Sequence, residues 1–327
     1  MGTVETARGP IPISDLGRTL MHEHVFVLTP DHLANYGPGG FWVEDDRVAD
    51  AVVRLSRLKD KGIDSIVDPT VVGLGRDIPR IVKVAQEVEV NIVVATGVYT
   101  YGDLPFAYVN RGPGTMLDGP EPMVDDFVRD LTVGIADTGV KAAFLKCAVE
   151  HTPMSTGVER SVRAVAQAHL ATRAPITVHT SAPEQTARPV IEVLRHEGVD
   201  LEKVVIGHAG DSNDLDYLME LADTGAILGM DRFGLDLMNP TAERIETIVA
   251  LVQRGYGDRM VLAHDASCFI DWFGPDFEAL HDLMTPNWHY EHISDDVLPA
   301  LAAAGVSDEA LDLMLVGTPA RYFTPRP

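Results

Sequence analysis

Six ionisable side chains fall where short apolar runs end: His22, His24, Lys146, His179, His208 and Asp265. Burying an isolated charge costs several kcal/mol, a sizeable share of a domain's net stability. Six such groups aimed at one place need a common partner, and a pair of divalent cations would supply it. Imidazole and carboxylate are ordinary ligands of zinc and similar transition metals. His22 and His24 lie two residues apart, so on a strand both side chains point to the same face. Lys146 is the odd member, because an ammonium has three donors and no acceptor. Two chemistries are open to it. It could take up carbon dioxide to form an anionic, bidentate carbamate that bridges two metals, or act as a neutral amine that forms a Schiff base with a carbonyl substrate.

For these residues to meet, the runs that carry them must be parallel strands ending on one face. The strand candidates are residues 19–26, 65–68, 92–96, 142–147, 176–179, 204–208, 226–231 and 260–265. Most are almost uninterruptedly apolar, as expected of parallel strands covered on both faces. Between them lie segments with helical spacing. Residues 48–58 are opened by Glu44-Asp45-Asp46 and closed by Lys61-Gly62; 158–169, 189–196, 215–222 and 242–253 behave similarly. Eight strands, each followed by a helix or long loop, predict an α/β fold of the (β/α)8 barrel type, with its functional face at the C-terminal strand ends. A doubly wound open sheet would announce a Gly-rich phosphate turn after its first strand, and none follows Phe26. No low-complexity linker divides the chain, so residues 1–327 are expected to form one domain. The long stretches 101–122 and 268–292 are candidate functional loops.

The composition agrees. The 327 residues are 46% hydrophobic, enough for a large buried core. Asp and Glu outnumber Lys and Arg by 49 to 26, a formal net charge of -23. Such a surface repels phosphate backbones and anionic lipids, so neither nucleic acid nor membrane is an expected partner. Only Cys147 and Cys268 are present, which excludes a disulfide framework and fits a reducing, cytoplasmic compartment. No secretory signal is visible, and no apolar run reaches the roughly 18–20 residues that span a bilayer.

With these motifs in view, the chain resembles the phosphotriesterase family of metallohydrolases over nearly its whole length. The resemblance is carried by His22-x-His24, Leu145-Lys146-Cys147-Ala148, Val178-His179-Thr180, Ile206-Gly207-His208 and Ala263-His264-Asp265. It extends through Val67-Asp68-Pro69-Thr70, Gly73-Leu74-Gly75-Arg76-Asp77, Ala95-Thr96-Gly97-Val98-Tyr99 and Gly229-Met230-Asp231-Arg232-Phe233-Gly234. The branch it is most similar to is the phosphotriesterase-like lactonases, including bacterial acyl-homoserine lactone hydrolases. The resemblance implies a carboxylated Lys146 bridging two divalent transition-metal ions, zinc first among them and cobalt, iron or manganese as substitutes. His22, His24 and Asp265 would complete the more buried site, and His179 and His208 the more exposed one. It further implies that Tyr99 sits beside the exposed metal, that Arg232 lines the substrate pocket, that Trp272 of Ile270-Asp271-Trp272 packs on the substrate, and that the protein is a homodimer. Two stretches depart from the family pattern: 180–189 replaces a longer Gly- and His-containing loop, and Ala266-Ser267 replace bulkier residues or cysteine.

The expected reaction is lactone hydrolysis with phosphotriester hydrolysis as a side activity, through a hydroxide held between the two ions. Tyr99 would help polarise the carbonyl, Asp265 would relay the proton to the departing alkoxide, and Arg232 would orient the substrate. The alternatives are a dedicated phosphotriesterase, a Schiff-base lyase built on Lys146, and a barrel that only binds. Among the remaining residues, Asp68 is expected to support a metal-binding histidine and His264 to be structural. Cys147 should point away from Lys146, and His151, His169, His196, His281, His289 and His292 are expected to be ordinary packing or surface residues.

Overall fold

The structure is a computed structural model that describes residues 2–37, 42–274 and 277–325. Residues 275 and 276 of the long stretch 268–292 lie outside that description. The strands in chain order are β1 (Thr3–Thr6), β2 (Gly9–Pro12), β3 (Thr19–Leu20), β4 (His24–Val27), β5 (Ser65–Asp68), β6 (Asn91–Gly97), β7 (Phe144–Val149), β8 (Ile176–Thr180), β9 (Val204–Gly207), β10 (Ile227–Met230), β11 (Met260–Leu262) and β12 (Ser267–Ile270). A parallel sheet runs β3-β5-β6-β7-β8-β9-β10-β11. The ring closes through the chain's first and last barrel strands: Met21 N–H donates to Leu262 O at 3.1 Å, and β12 pairs with β4 in parallel, Ser267 opposite His24. This is the (β/α)8 barrel that the alternation predicts.

Helices pack outside, and their boundaries follow local chemistry. The helix Ile78–Glu87 is capped by Asp77, whose side chain accepts from Arg80 N, and has Pro79 in its first turn. Thr156–Thr172 is capped by Ser155, which accepts from Val158 N, and ends at Arg173 in the left-handed conformation. The second was marked in the sequence, as 158–169, by apolar residues every three to four positions; the first was not singled out there.

Strand alternation produces two cores. Ile66, Val94, Leu145, Cys147, Val178, Ile206 and Leu228 face outward and pack under the helices. Val67, Val93, Ala95, Phe144, Val205, Ile227 and Val261 face inward and fill the barrel. Cys147 therefore points away from Lys146, as expected. Below this interior the helix Thr318–Phe323 plugs the barrel, with Tyr322 Oη 2.9 Å from Thr177 Oγ1. The hairpin β1–β2 adds Val4 to the same floor. A solid floor leaves the opposite mouth for chemistry.

Three features depart from the sequence reading. The first strand is interrupted between Leu20 and His24, where the chain bends into the mouth. The eighth is split into β11 and β12 by the turn that holds Asp265. The hairpin β1–β2 was not anticipated, because Pro10 and Pro12 break the apolar pattern; as an edge strand it tolerates them.

Candidate metal centre

All six groups arrive at the mouth from strand ends. His24 begins β4, Lys146 lies in β7, His179 in β8, His208 directly after β9, and Asp265 between β11 and β12. His22 Nε2 lies 3.4 Å from Lys146 Nζ and 3.4 Å from Asp265 Oδ1. His24 Nε2 is 3.2 Å from the same Asp265 oxygen. His179 Nδ1 and His208 Nε2 meet at 2.7 Å. The atoms thus fall into one group of four and one pair, bound together by the His22–His208 ring contact at 4.9 Å.

The backbone pays for this convergence in strain. His208, Arg232 and Asp265 have φ of 63°, 60° and 53°, a left-handed region that non-glycine residues seldom occupy and that clusters at functional sites. Space is scarce as well. Gly97 has φ +148°, and a Cβ there would lie 1.8 Å from Lys146 O; a Cβ on Gly207 would meet Val178 O at 2.8 Å and the His22 ring at 3.4 Å. Only glycine lets neighbouring strands pass so close to the two residues.

Each imidazole turns one nitrogen toward the centre and the other toward an oxygen. His24 Nδ1 lies 2.7 Å from Thr70 Oγ1, itself bonded to Asp68. His208 Nδ1 is 2.8 Å from Asp231 Oδ1, and His22 Nδ1 is 3.3 Å from Asp231 Oδ2. His179 Nε2 is 2.7 Å from Glu150 Oε2. On His24, His179 and His208 these oxygen partners fix the tautomer and turn the inner lone pair toward one space, the arrangement that supports histidines on a metal. His22 Nδ1, by contrast, has the Asp231 carboxylate beside it without hydrogen-bond geometry. Asp68 acts here through Thr70.

Among the described residues, two three-residue clusters have donor atoms close enough to hold an ion: His22 with His24 and Asp265, and His22 with His208 and Asp231. The first fits better. Asp231 already accepts from the backbone N–H of His208 at 3.0 Å and from its ring, and does not line the cavity. The first cluster opens on the cavity beside Lys146.

The electrostatics suit groups that could hold a cation. Burial lowers His22, His179 (to about 4) and His208, which favours the neutral imidazoles that a metal would need. Burial also disfavours the charged form of His24, but Asp265 and Asp68 outweigh it and raise His24 to about 9. A cation in that position would take over the proton's role. Burial lowers Lys146 to about 8, against weaker support from Asp265 and Asp231. For Asp265 burial opposes ionisation, yet His22, His208 and Arg232 hold it well below the usual carboxylate range.

Above the centre lies a cavity of about 150 Å3, walled by Val27, Leu74, Ile270, Trp272 and Phe273. Tyr99 and Arg232 reach into it. Tyr99 Oη is 3.5 Å from His179 Nδ1 and bonds the hydroxyl of Tyr101. Burial, followed by the neighbouring Tyr101, raises the Tyr99 phenol, which stays a donor at neutral pH. The Arg232 guanidinium donates to Asp265 Oδ2 at 3.0 Å and Asp211 Oδ2 at 2.8 Å, and the fully buried Arg244 holds the other oxygen of Asp211 at 2.6 Å. Arg232 therefore both pairs with carboxylates and lines the cavity. Trp272 stands on the rim, 46% exposed. A larger cavity of about 310 Å3, behind β12 and lined by Cys268 and Tyr290, contains none of the six groups.

Glu150, Asp231, Thr70, Tyr101 and Asp211 were not singled out from sequence. Asp231 and Glu150 left a usable signal, since both are charged residues at the ends of apolar runs. The other histidines are as expected: His169 bonds Ala174 O inside its helix packing, His151 pairs with Glu184 at the surface, and His281 accepts no role at the centre. His264 is structural.

Comparison with known proteins places the fold and site in context. The model of the phosphotriesterase family matches residues 2–323. The chain is 53% identical over 323 residues to the phosphotriesterase homology protein of Mycobacterium tuberculosis strain H37Rv, covering 99% of this chain and 98% of that one. It is 36% identical over 320 residues to an aryldialkylphosphatase of Saccharolobus solfataricus, covering 96% and 97%. A solved structure of the phosphotriesterase from Mycobacterium tuberculosis superposes with a TM-score of 0.96 at 53% identity, covering 99% of both chains. The chain belongs to the phosphotriesterase family, a family of hydrolases.

Proposed function

We propose that the protein opens lactone rings, N-acyl-homoserine lactones and related γ- and δ-lactones among them, and hydrolyses phosphotriesters as a side activity. The observation that carries this reading is the convergence of four inner imidazole nitrogens, Lys146 Nζ and Asp265 Oδ1 beneath an apolar cavity. Two divalent ions held there would polarise a substrate oxo group and lower the pKa of water to generate the nucleophile. His22, His24 and Asp265 would hold one ion and His179 and His208 the other, with Lys146 between them as its carbamate. The lowered Lys146 supports that modification, because only the neutral amine attacks carbon dioxide. Zinc suits these nitrogen and oxygen donors, as do cobalt, iron and manganese.

The chain's own groups do the rest. The Tyr99 hydroxyl donates to the carbonyl oxygen as charge grows there. Oxygen from water bonds to the carbonyl carbon, the ring C–O bond breaks, and Asp265 carries the proton from the water to the departing alkoxide. Arg232, fixed by Asp211, donates to Asp265 Oδ2 and so holds the carboxylate with Oδ1 toward His22 and His24. The apolar wall with Trp272 at its rim suits an acyl chain, and the name of the archaeal relative supports the phosphotriester activity.

The test is a hydrolysis panel of homoserine lactones, simple γ- and δ-lactones and a dialkyl aryl phosphate on protein of defined metal content. Lactones should be the faster substrates, and chelation should abolish both activities. A phosphotriester rate far above every lactone overturns the substrate ranking; an undiminished rate in metal-free protein overturns the chemistry. The lowered Lys146 also favours a second reading, a Schiff-base lyase, which requires borohydride to trap substrate on Lys146.

A further inference from the structure

The middle residue of His22-Glu23-His24 points to the other side of the strand from its neighbours and is completely buried. Its carboxylate accepts three hydrogen bonds from one short segment. Oε1 takes the backbone N–H of His264 at 2.7 Å and the His264 ring Nδ1 at 2.7 Å; Oε2 takes the backbone N–H of Ala266 at 3.1 Å. The ring assignment is settled by Ile293, whose backbone N–H donates to His264 Nε2 at 2.9 Å, so the ring proton lies on Nδ1. The two backbone donors flank Asp265, the residue at φ 53° where the eighth strand is broken. Two backbone bonds complete the lock: Asp265 N–H to His22 O at 3.0 Å and His24 N–H to Ala266 O at 2.8 Å.

A left-handed aspartate between two strands survives only if its surroundings over-determine it. We infer that Glu23 is the positioning residue that holds Asp265 in this conformation and so sets its carboxylate beside His22 and His24. One side chain thereby ties the histidine pair and the carboxylate of the same candidate ion site into a single unit. It touches neither substrate nor ion, so its effect appears first in metal binding. This inference rests on the metal-centre reading above.

The experiment measures zinc binding by dialysis against a graded chelator buffer, with metal per folded chain as the readout and the cobalt-loaded absorption spectrum as a second. Glu23→Gln keeps the shape but turns one acceptor into a donor facing an N–H. It should weaken one of two ions about 10- to 100-fold, the scale of lost support to a metal ligand, and leave the other at wild-type affinity. His264→Leu removes one of the three bonds and should weaken the same ion less. His264→Asn retains a donor at the Nδ1 position, loses only the Ile293 contact, and should bind like wild type. A folded Glu23→Gln protein that binds both ions with wild-type affinity overturns the inference, whatever its thermal stability. Should Glu23→Gln fail to fold, wild-type affinity in His264→Leu overturns it instead, and selective loss supports it. A wild-type chain that holds no zinc overturns the metal-centre reading and this inference with it.

Discussion

Replacing Lys146 with methionine should stabilise the metal-free protein while abolishing the metal centre. Lys146 is 1% exposed, and burial takes its pKa from 10.5 to about 8. The sign follows from proton counts. Below pH 8 the amine is charged in both states and the native state bears the whole cost of burying that charge. Between about 8 and 10.5 the unfolded chain binds the extra proton, so stability rises with pH until the penalty is gone. A drop of about 2.5 units at 1.36 kcal/mol per unit is roughly 3 kcal/mol at pH 7. Methionine has nearly the same volume and no charge, so it removes this cost at little packing expense. At roughly 2.1 cal/mol/K per residue, 327 residues convert that gain into a Tm rise of about 4 °C. The assay is calorimetry of chelator-treated wild type and Lys146→Met in carbon-dioxide-depleted buffer at pH 7 and pH 10, with zinc content in parallel. The stability gap should narrow at pH 10 and zinc binding should be lost. A methionine variant less stable than wild type at pH 7, or one that still takes up two ions, would refute the reasoning.

Two further outcomes follow from the same geometry. Glu150→Gln loses the carboxylate on the outer nitrogen of His179, so the ion shared with His208 should be released to a chelator at about 10-fold lower concentration; equal release from both proteins would count against that role. Trp272→Ala removes an exposed rim side chain, so thermal stability should stay within about 0.5 kcal/mol while KM for long-chain lactones rises and kcat holds; an unchanged KM would remove Trp272 from the substrate.

The six residues that converge at the mouth were legible because charge is rare in apolar runs, and a charge at the end of such a run stands out. The strand estimate 142–147 against the observed Phe144–Val149 shows why small boundary errors did no harm. A shift of two preserves the alternation, so Lys146 still faces inward and Cys147 outward. The supporting oxygens of Glu150, Asp231 and Thr70 were harder to see. Their roles depend on which nitrogen of a given ring faces the centre, and residue type does not encode that. Glu23 is the sharpest case: its spacing places it off the histidine face, which reads as outside the site, yet it grips the segment that carries Asp265. The break in the eighth strand was equally invisible, because a left-handed aspartate has no compositional mark. The edge hairpin was hidden by its two prolines.

The plugged floor of the barrel has a practical consequence for attaching this protein to a surface. The segments Thr3–Thr6 and Thr318–Phe323 both pack beneath the barrel, at the end away from the cavity. A tether joined beyond either segment would leave the cavity directed away from the support, and substrate would reach immobilised protein without crossing the linker.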